Sequence, residues 1–200
     1  MISSTLSEAG GFLKTEQSLK RPDVQHHFVI GLIDDHLRKL HYGYGYSCHV
    51  CLLRPYSRGS VSLASARHDD APLINPNFLD DSRDVDTLIK GAKMTQNILN
   101  TPPLKKYQRS EIYGVHGDLT DKQWEKHIRN RADTIYHPVG TCKMGNDALA
   151  VVDSSLKIRG LKNIRVVDAS IMPTITSGNT NAPTVMIGEK GAAMILDSYK

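Results

Sequence analysis

Two short segments near the end of the chain carry residue types that could perform acid–base chemistry. The first runs from His137 to Gly145, and Pro138 and Gly140 closely follow the histidine. Proline fixes the backbone and glycine permits a tight turn, so this context can hold an imidazole at the end of a rigid turn that faces a cavity. Histidines titrate near neutral pH and can accept a proton from a substrate. His137 is therefore a candidate general base, against the plain alternative of a histidine that caps a turn.

The second segment combines a strand, a polar loop and a helix. Residues 164–168 are mostly apolar and β-branched, which predicts a strand, and the loop that follows carries Asn179 and Asn181. Pro183 lies where the first turn of a helix accepts a proline, and the residues from Thr184 to Leu196 predict a compact helix. A strand that leads through a loop to a helix N-terminus presents backbone N–H groups and a partial positive charge to a ligand.

The rest of the sequence predicts the elements that must position these segments. Alternating and β-branched residues bounded by polar turns predict three strands, Phe28–Ile33, Tyr46–Leu53 and Ser60–Ala64. Apolar residues at helical spacing predict a helix over Asp84–Asn100, which two prolines end, and a capping box formed by Thr120 and Gln123 begins a second helix that runs to about Ala132. The sequence therefore predicts an α+β fold, an antiparallel sheet with helices on one face.

The composition is that of a globular chain. The 200 residues carry a net charge of +4, and 40% of them are hydrophobic. Because the basic residues occur in short groups interleaved with acids, a solvated helix face explains them better than a nucleic-acid footprint. No apolar run is long enough to span a bilayer, and no basic-then-apolar leader begins the sequence. We therefore expect a soluble, cytoplasmic protein without nucleic-acid partners, and peripheral association with the inner membrane stays open.

The three cysteines suit a reducing compartment better than a disulfide framework. Cys48 and Cys51 have the spacing of half a zinc site, but the only other cysteine is Cys142. An alternating strand explains the two neighbouring cysteines better than a metal site does. We therefore expect buried thiols and no metal.

At these residues the sequence resembles the C-terminal half of the glucose-methanol-choline (GMC) oxidoreductases. The resemblance is strongest to their choline dehydrogenase-like and aliphatic alcohol dehydrogenase-like members. The two segments of the chain that carry the resemblance most clearly are His137–Gly145 and Val167–Thr184. Similar patterns occur in Glu8–Phe12, Arg21–Phe28, Leu53–Val61 and Asn75–Phe78. The resemblance implies an FAD-dependent dehydrogenase that oxidises a primary alcohol, choline or an aliphatic alcohol, to the aldehyde by proton abstraction and hydride transfer to the flavin.

The resemblance also implies roles for individual residues. The family's active-site histidine aligns with His137, and the second active-site position, a histidine or an asparagine, falls at Asn179, whose amide could donate to a developing alkoxide. The plain alternative is that Asn179 only turns the chain. The expected contacts with FAD come from the strand end and the helix start, Asp168, Ala169, Asn181, Ala182, Pro183 and Thr184. Asn181 competes with Asn179 for the substrate and could instead cap the helix, and the alternative for Asp168 is a capping aspartate.

Two residues of the earlier part of the chain are expected to bind substrate. Glu8 resembles a position that can supply a carboxylate for the quaternary ammonium of choline in related enzymes. Arg54, followed by proline, lies in a context that also occurs in family members acting on uncharged aliphatic alcohols, and an arginine near the pocket would repel a cation. A primary alcohol is therefore the substrate class that the sequence supports, and the electron acceptor stays open.

The domain prediction rests on an element that this sequence lacks. Enzymes of the family begin with a strand, a glycine-rich turn and a helix that hold the adenine dinucleotide half of FAD. We therefore expect residues 1–135 to form part of the substrate-binding domain and residues 136–200 to belong to the FAD domain. The FAD-binding half would be a missing partner. On their own, the 200 residues are expected to bind FAD weakly and to self-associate. The alternative is a truncated, non-catalytic remnant that binds no flavin.

Overall fold

A computed structural model describes residues 7–113 and 117–200 and divides the chain into two compact units. The first unit comprises residues 1–57 and 78–134, and the second comprises residues 58–77 and 135–200. The boundary between residues 134 and 135 lies directly before the segment that carries the candidate base. Residues 58–77 belong to the same unit as that segment.

The first unit is built on a three-stranded antiparallel sheet. Its strands are β1 (Ala9–Leu13), β2 (Val24–Val29) and β3 (Ser47–Leu52), with β2 in the centre. Helix α1 (Ser82–Leu99) packs on β2 and β3. The contact is close, because a Cβ added to Gly91 of this helix would lie 2.9 Å from a methyl group of Val50. The predicted antiparallel sheet with helices on one face is confirmed.

Two further helices follow α1 in this unit. The short helix α2 (Pro102–Lys105) begins at the prolines that end α1, since proline is tolerated in a first turn. Helix α3 (Asp121–Arg131) begins at Thr120 with the predicted capping box. It packs on α1 around buried Val85, Ile89, Trp124 and Ile128.

The predicted strand Phe28–Ile33 was wrong in its bounds, because β2 begins four residues earlier. The missed residues include Gln25 and His26, which are polar but buried. The imidazole of His26 lies within 3.3 Å of the Gly91 carbonyl oxygen of α1, so a polar side chain is accommodated on the helix-covered face. Burial lowers the pKa of His26, and the contact with the carbonyl partly opposes that shift.

The second unit contains a short hairpin and a C-terminal helix. Strands β4 (Ser60–Ser62) and β5 (Leu73–Asn75) pair antiparallel. Helix α4 (Asn181–Asp197) begins three residues before the predicted start. The core of the unit consists of buried Val152, Leu156, Ile171, Met172 and Ile187.

Residues 164–168 do not form the predicted strand. Their backbone takes part in a single bridge between Lys157 and Arg165, together with hydrogen bonds that link the segment to residues 156 and 158. The preceding chain is a series of tight turns and offers no continuous strand as a partner. The segment still supports α4, because buried Gly191 approaches Val167 so closely that an added Cβ would lie 2.3 Å from its Cγ1.

Over residues 7–113 and 117–200, no helix is both long enough and apolar enough to cross a membrane.

Candidate active site

The loop that carries His137 is fixed to the core of the second unit by backbone hydrogen bonds. Cys142 N donates to the Ser170 carbonyl oxygen at 3.0 Å, and Met144 N donates to the Ile171 carbonyl oxygen at 2.8 Å. The loop therefore runs beside the short 3-10 turn Ala169–Ile171. These bonds give the histidine a rigid support.

The backbone next to His137 adopts two left-handed conformations. Tyr136 has φ +67° and Gly140 has φ +90°. The second position favours glycine, since a Cβ there would also lie 3.4 Å from the Met172 carbonyl oxygen. Tyr136, by contrast, is a bulky residue in a conformation that bulky residues rarely adopt. Left-handed backbone at non-glycine residues often marks functional loops, and here it directly precedes the candidate base.

The loop that carries Asn179 connects the 3-10 turn to α4. Ile171 and Met172 are buried at its start, and Thr180 is buried at its end. Ser177 has φ +67°, so this loop also bends through a left-handed residue shortly before the asparagine. Both ends of the loop are therefore anchored while its polar residues project from the core.

The two loops bring His137 and Asn179 into direct contact. Asn179 Nδ2 lies 2.8 Å from His137 Nε2, which is a hydrogen-bonding distance. On the other side of the imidazole, Nδ1 lies 2.9 Å from Thr180 Oγ1. The histidine is partly buried and the asparagine is exposed. The predicted pair is therefore assembled from residues 42 positions apart in sequence.

This geometry gives the pair complementary abilities. An amide nitrogen can only donate, so Nε2 accepts in this contact and carries a lone pair. A hydroxyl oxygen that replaces this direct contact and lies within reach of both groups could give its proton to Nε2 and receive a hydrogen bond from Asn179. One base and one donor directed at the same oxygen are the requirements for deprotonating an alcohol and stabilising the resulting alkoxide.

The residues expected to contact FAD lie at two places in the second unit, at the 3-10 turn and at the start of α4. Asp168 is the N-cap of the 3-10 turn and accepts from Ser170 N at 2.7 Å, so its side chain has the local capping role that was the plain alternative. Asn181 is the first residue of α4, and because the N-cap position belongs to Thr180, Asn181 is not the helix cap. Asn181 and Ala182 are exposed, and Pro183 and Thr184 are half-buried.

The start of α4 fits a negatively charged group. Its N-cap residue makes no side-chain capping bond, and the first N–H groups of a helix have no partner within the helix. With exposed residues at its first two positions, the helix can direct these donors and its partial positive charge at a ligand. The negative charge of a reduced flavin ring is of the kind that such a terminus stabilises.

The two residues expected to bind substrate belong to the first unit. Glu8 is exposed and directly precedes β1. Arg54 Nη2 donates to the Pro22 carbonyl oxygen at 2.6 Å, and the side chain lines a cavity of about 310 Å³ with Tyr56 and Asp84 among its other lining residues. Arg54 thus links the segment before β2 to the segment after β3. The substrate roles of Glu8 and Arg54 stay predictions.

The two neighbouring cysteines are half-buried in β3. Burial raises the pKa of each thiol to about 11, so both are protonated at neutral pH. In the part of the chain that the structure describes, no group of three histidine, cysteine, aspartate or glutamate side chains is arranged to hold a metal ion.

Thr180 is a residue of the site that the sequence did not single out. The sequence instead indicated its neighbours Asn179 and Asn181, whose side-chain amides can donate hydrogen bonds. The sequence nonetheless contained a signal for Thr180. Thr180 lies three residues before Pro183, so it falls at the N-cap if the proline is the third helical residue. Because proline has no N–H, that residue offers the threonine hydroxyl no capping bond.

Comparisons with known proteins identify the family of this chain. The GMC oxidoreductase family model matches residues 55–188. An alcohol dehydrogenase [acceptor] of Pseudomonas putida is 48% identical over 195 residues, which are 98% of this chain and 35% of that protein. An oxygen-dependent choline dehydrogenase of Cronobacter sakazakii is 40% identical over 183 residues, which are 92% of this chain and 33% of that protein. The chain thus spans about a third of the length of the curated relatives it matches.

Solved structures give the same result at the level of the fold. Pyridoxine 4-oxidase from Mesorbium loti superposes with a TM-score of 0.83 at 27% identity, covering 94% of this chain and 37% of that one. A formate oxidase variant of Aspergillus oryzae, described in connection with FAD modification, has a TM-score of 0.80 at 30% identity and covers 90% of this chain and 32% of that one. The family model, the sequence relatives and the shared fold together confirm the resemblance: the chain belongs to the GMC oxidoreductase family and corresponds to its C-terminal domain.

Proposed function

We propose that this chain supplies the acid–base part of an FAD-dependent oxidation of a primary alcohol to the aldehyde. The observation that carries the proposal is the 2.8 Å contact between His137 Nε2 and Asn179 Nδ2, because an imidazole nitrogen and an amide donor this close could act on the same hydroxyl group. The similar proteins named as alcohol and choline dehydrogenases support an alcohol as the substrate. Bound FAD would supply the acceptor for the hydride that leaves the α-carbon.

The residues of this chain act on the hydroxyl group. His137 Nε2 takes the hydroxyl proton, and Asn179 Nδ2 donates a hydrogen bond to the oxygen as negative charge develops there. Both loops are anchored to the core of the second unit, which keeps the two side chains close to each other. The side chains therefore need little rearrangement when the substrate binds. The imidazolium that forms stays beside the alkoxide and adds a favourable charge interaction.

The flavin would be held at the end of the second unit that also carries the pair. The exposed first turn of α4, with Asn181, Ala182, Pro183 and Thr184, would face the pyrimidine edge and stabilise its negative charge in the reduced state. Backbone groups of Asp168 and Ala169 would contact the ribityl or pyrophosphate part. An FAD-binding half like that of the family's full-length enzymes would be the partner that this proposal requires.

Among primary alcohols, an uncharged aliphatic alcohol is the substrate class that we favour over choline. Identity to the alcohol dehydrogenase is 48%, against 40% to the choline dehydrogenase. Arg54 would disfavour a cation if it lies near the substrate, whereas Glu8 would favour one. A second candidate, a remnant that folds but binds no flavin, differs in that its preparation would be colourless.

A chimera tests the proposal directly. In this protein, hereafter the chimera, the chain replaces the matching part of the Pseudomonas putida alcohol dehydrogenase, to which it is 48% identical. We expect a yellow protein with stoichiometric FAD that oxidises uncharged aliphatic primary alcohols with an artificial electron acceptor. The 200-residue chain alone should bind FAD weakly or not at all. A folded chimera that contains FAD but oxidises neither aliphatic alcohols nor choline would contradict the proposal.

Replacing Asn179 with alanine in the chimera should lower kcat by about 100-fold, in the range for one lost donor to a developing oxyanion. The effect should appear in kcat more than in KM, because the hydrogen bond strengthens as charge develops. Steady-state kinetics with the FAD content of each sample would measure it. Asn146→Ala, an exposed asparagine in a turn of the same unit, is the matched control and should be neutral. An Asn179→Ala enzyme that changes only KM would contradict the role.

A further inference from the structure

The hydroxyl of Thr180 is used in an unusual way for its position. Thr180 is the N-cap of α4, where a threonine side chain ordinarily accepts a hydrogen bond from the second or third N–H of the helix. Here the side chain makes no capping bond, and Oγ1 lies 2.9 Å from His137 Nδ1 instead. Thr180 is only 6% exposed, and its contact with the imidazole is partly buried.

The local sequence removes one of the two usual capping partners of this hydroxyl. The third helical residue is Pro183, which has no N–H to offer. The backbone of Thr180 itself has φ −90° and ψ −1° instead of the extended conformation of an ordinary N-cap. The hydroxyl is therefore directed away from the helix and toward the imidazole.

We infer that Thr180 is a positioning residue that selects the tautomer in which His137 can act as a base. The inference rests on the proposed function, because a base role is what requires a lone pair on Nε2. Asn179 Nδ2 can only donate to Nε2, so the ring proton of the neutral imidazole must be on Nδ1. Thr180 Oγ1 is the group that accepts that proton's hydrogen bond.

A second group of the same residue favours the opposite tautomer. The backbone N of Thr180 lies 3.4 Å from His137 Nδ1, farther than the hydroxyl oxygen. A backbone N–H can only donate, so it would pair with a lone pair on Nδ1 and thereby place the ring proton on Nε2. That tautomer cannot accept a proton from an alcohol at Nε2. The hydroxyl oxygen is the closer of the two partners and, unlike the backbone N–H, can accept a hydrogen bond, so it is the group that stabilises the Nδ1–H form set by Asn179.

The proton count of the step follows from this arrangement. The alcohol gives its proton to Nε2, and the N–H bond that forms there makes the ring an imidazolium. The proton on Nδ1 stays where it is, donated to Thr180 Oγ1 throughout. Thr180 neither gains nor loses a proton, and its hydroxyl oxygen stabilises the charged ring after the transfer. Its effect therefore reaches the substrate only through His137.

The variants Thr180→Val and Thr180→Ser separate the hydroxyl from the shape of the side chain. Valine keeps the branched shape and leaves only the backbone N–H beside Nδ1, whereas serine keeps the hydroxyl. Thr95→Val is the matched control, because Thr95 is also buried and its hydroxyl donates to the Gly91 carbonyl oxygen within α1. This variant also removes a buried threonine hydroxyl, but from a residue of α1 in the first unit, whereas His137 and Asn179 belong to the second unit.

The tautomer itself is the first measurement. The ¹⁵N chemical shifts of histidine-labelled 200-residue chain distinguish Nδ1–H from Nε2–H, and His137→Gln identifies the signal. We expect the Nδ1–H form in the wild-type chain and in Thr180→Ser and Thr95→Val, and a shift toward the Nε2–H form in Thr180→Val. A wild-type His137 protonated on Nε2 would overturn the inference whatever the variants do, and so would an unchanged tautomer in a folded Thr180→Val chain.

Kinetics of the chimera provide the second measurement. Thr180→Val should lower kcat by about 10- to 100-fold with little change in KM, Thr180→Ser should restore most of it, and Thr95→Val should keep it. Equal kcat values for Thr180→Val and Thr95→Val would overturn the inference. If the chimera is inactive with and without the substitutions but the NMR tautomers are as expected, the proposed function fails while the tautomer assignment stands. The failure of the proposed function can therefore be distinguished from the failure of this inference.

Discussion

Replacing His137 with alanine in the chimera should lower turnover by roughly two to four orders of magnitude, the usual loss when a positioned base is removed. The imidazole lies 2.8 Å from Asn179 Nδ2, and Asn179 itself cannot accept a proton on its amide nitrogen. Stopped-flow reduction of the flavin by the alcohol measures the chemical step directly. The FAD content should stay at the wild-type level, because the predicted cofactor contacts lie at other residues.

Two controls make this result specific. His68→Ala removes an exposed histidine from the same unit, and Cys48→Ser changes a thiol whose raised pKa of about 11 keeps it protonated. Both should leave turnover nearly unchanged. A His137→Ala enzyme that retains bound flavin and near-normal turnover would overturn the assignment of the base.

Replacing Asp84 with alanine should destabilise the first unit by about 3–5 kcal/mol. Asp84 is 2% exposed, and its carboxylate accepts from the backbone N–H groups of Tyr56 and Ser57, each at 2.8 Å, and from Ser57 Oγ at 2.6 Å. Removing the carboxylate leaves two backbone donors without their acceptor. Urea unfolding of the 200-residue chain, followed by tryptophan fluorescence at Trp124 in the same unit, would measure the loss.

The matched control for Asp84 lies two residues further along α1. Asp86 is exposed, so Asp86→Ala removes the same chemical group without uncovering buried donors, and its effect should be within about 0.5 kcal/mol. Equal stability of the two variants would show that the buried carboxylate is not what joins α1 to the segment after β3. Because His137 and Asn179 lie in the other unit, the chimera with Asp84→Ala should keep its flavin reduction rate below its melting temperature.

The sequence predicted best the elements whose signals are local. The capping box at Thr120 and Gln123 begins α3 as expected, because both partners lie within one turn. The strand β2 was misplaced, because His26 and Gln25 are buried through contacts with a helix and a strand that are distant in sequence. Residues 164–168 read as a strand because their composition is apolar and β-branched, although the chain provides them with only a one-residue bridge.

The candidate site shows the same division between local and long-range information. The resemblance identified His137 and Asn179, and the structure brings the two side chains together. It did not identify Thr180, because the role of that hydroxyl depends on a histidine 43 residues earlier in the chain. The left-handed conformation of Tyr136 was equally unpredictable, since nothing in a tyrosine favours a positive φ.

The interleaving of the two units has a consequence for how this domain can be divided by genetic or proteolytic means. The chain passes from one unit to the other after residues 57, 77 and 134, so neither unit is a continuous stretch of sequence. A fragment that begins at residue 135 would contain His137, Asn179 and α4 but would lack the hairpin of β4 and β5. Reconstituting the second unit from pieces therefore requires residues 58–77 to be supplied as a separate peptide or joined ahead of residue 135 by a new linker. A permuted gene of that kind would encode the whole unit, including both His137 and Asn179, without the residues of the first unit.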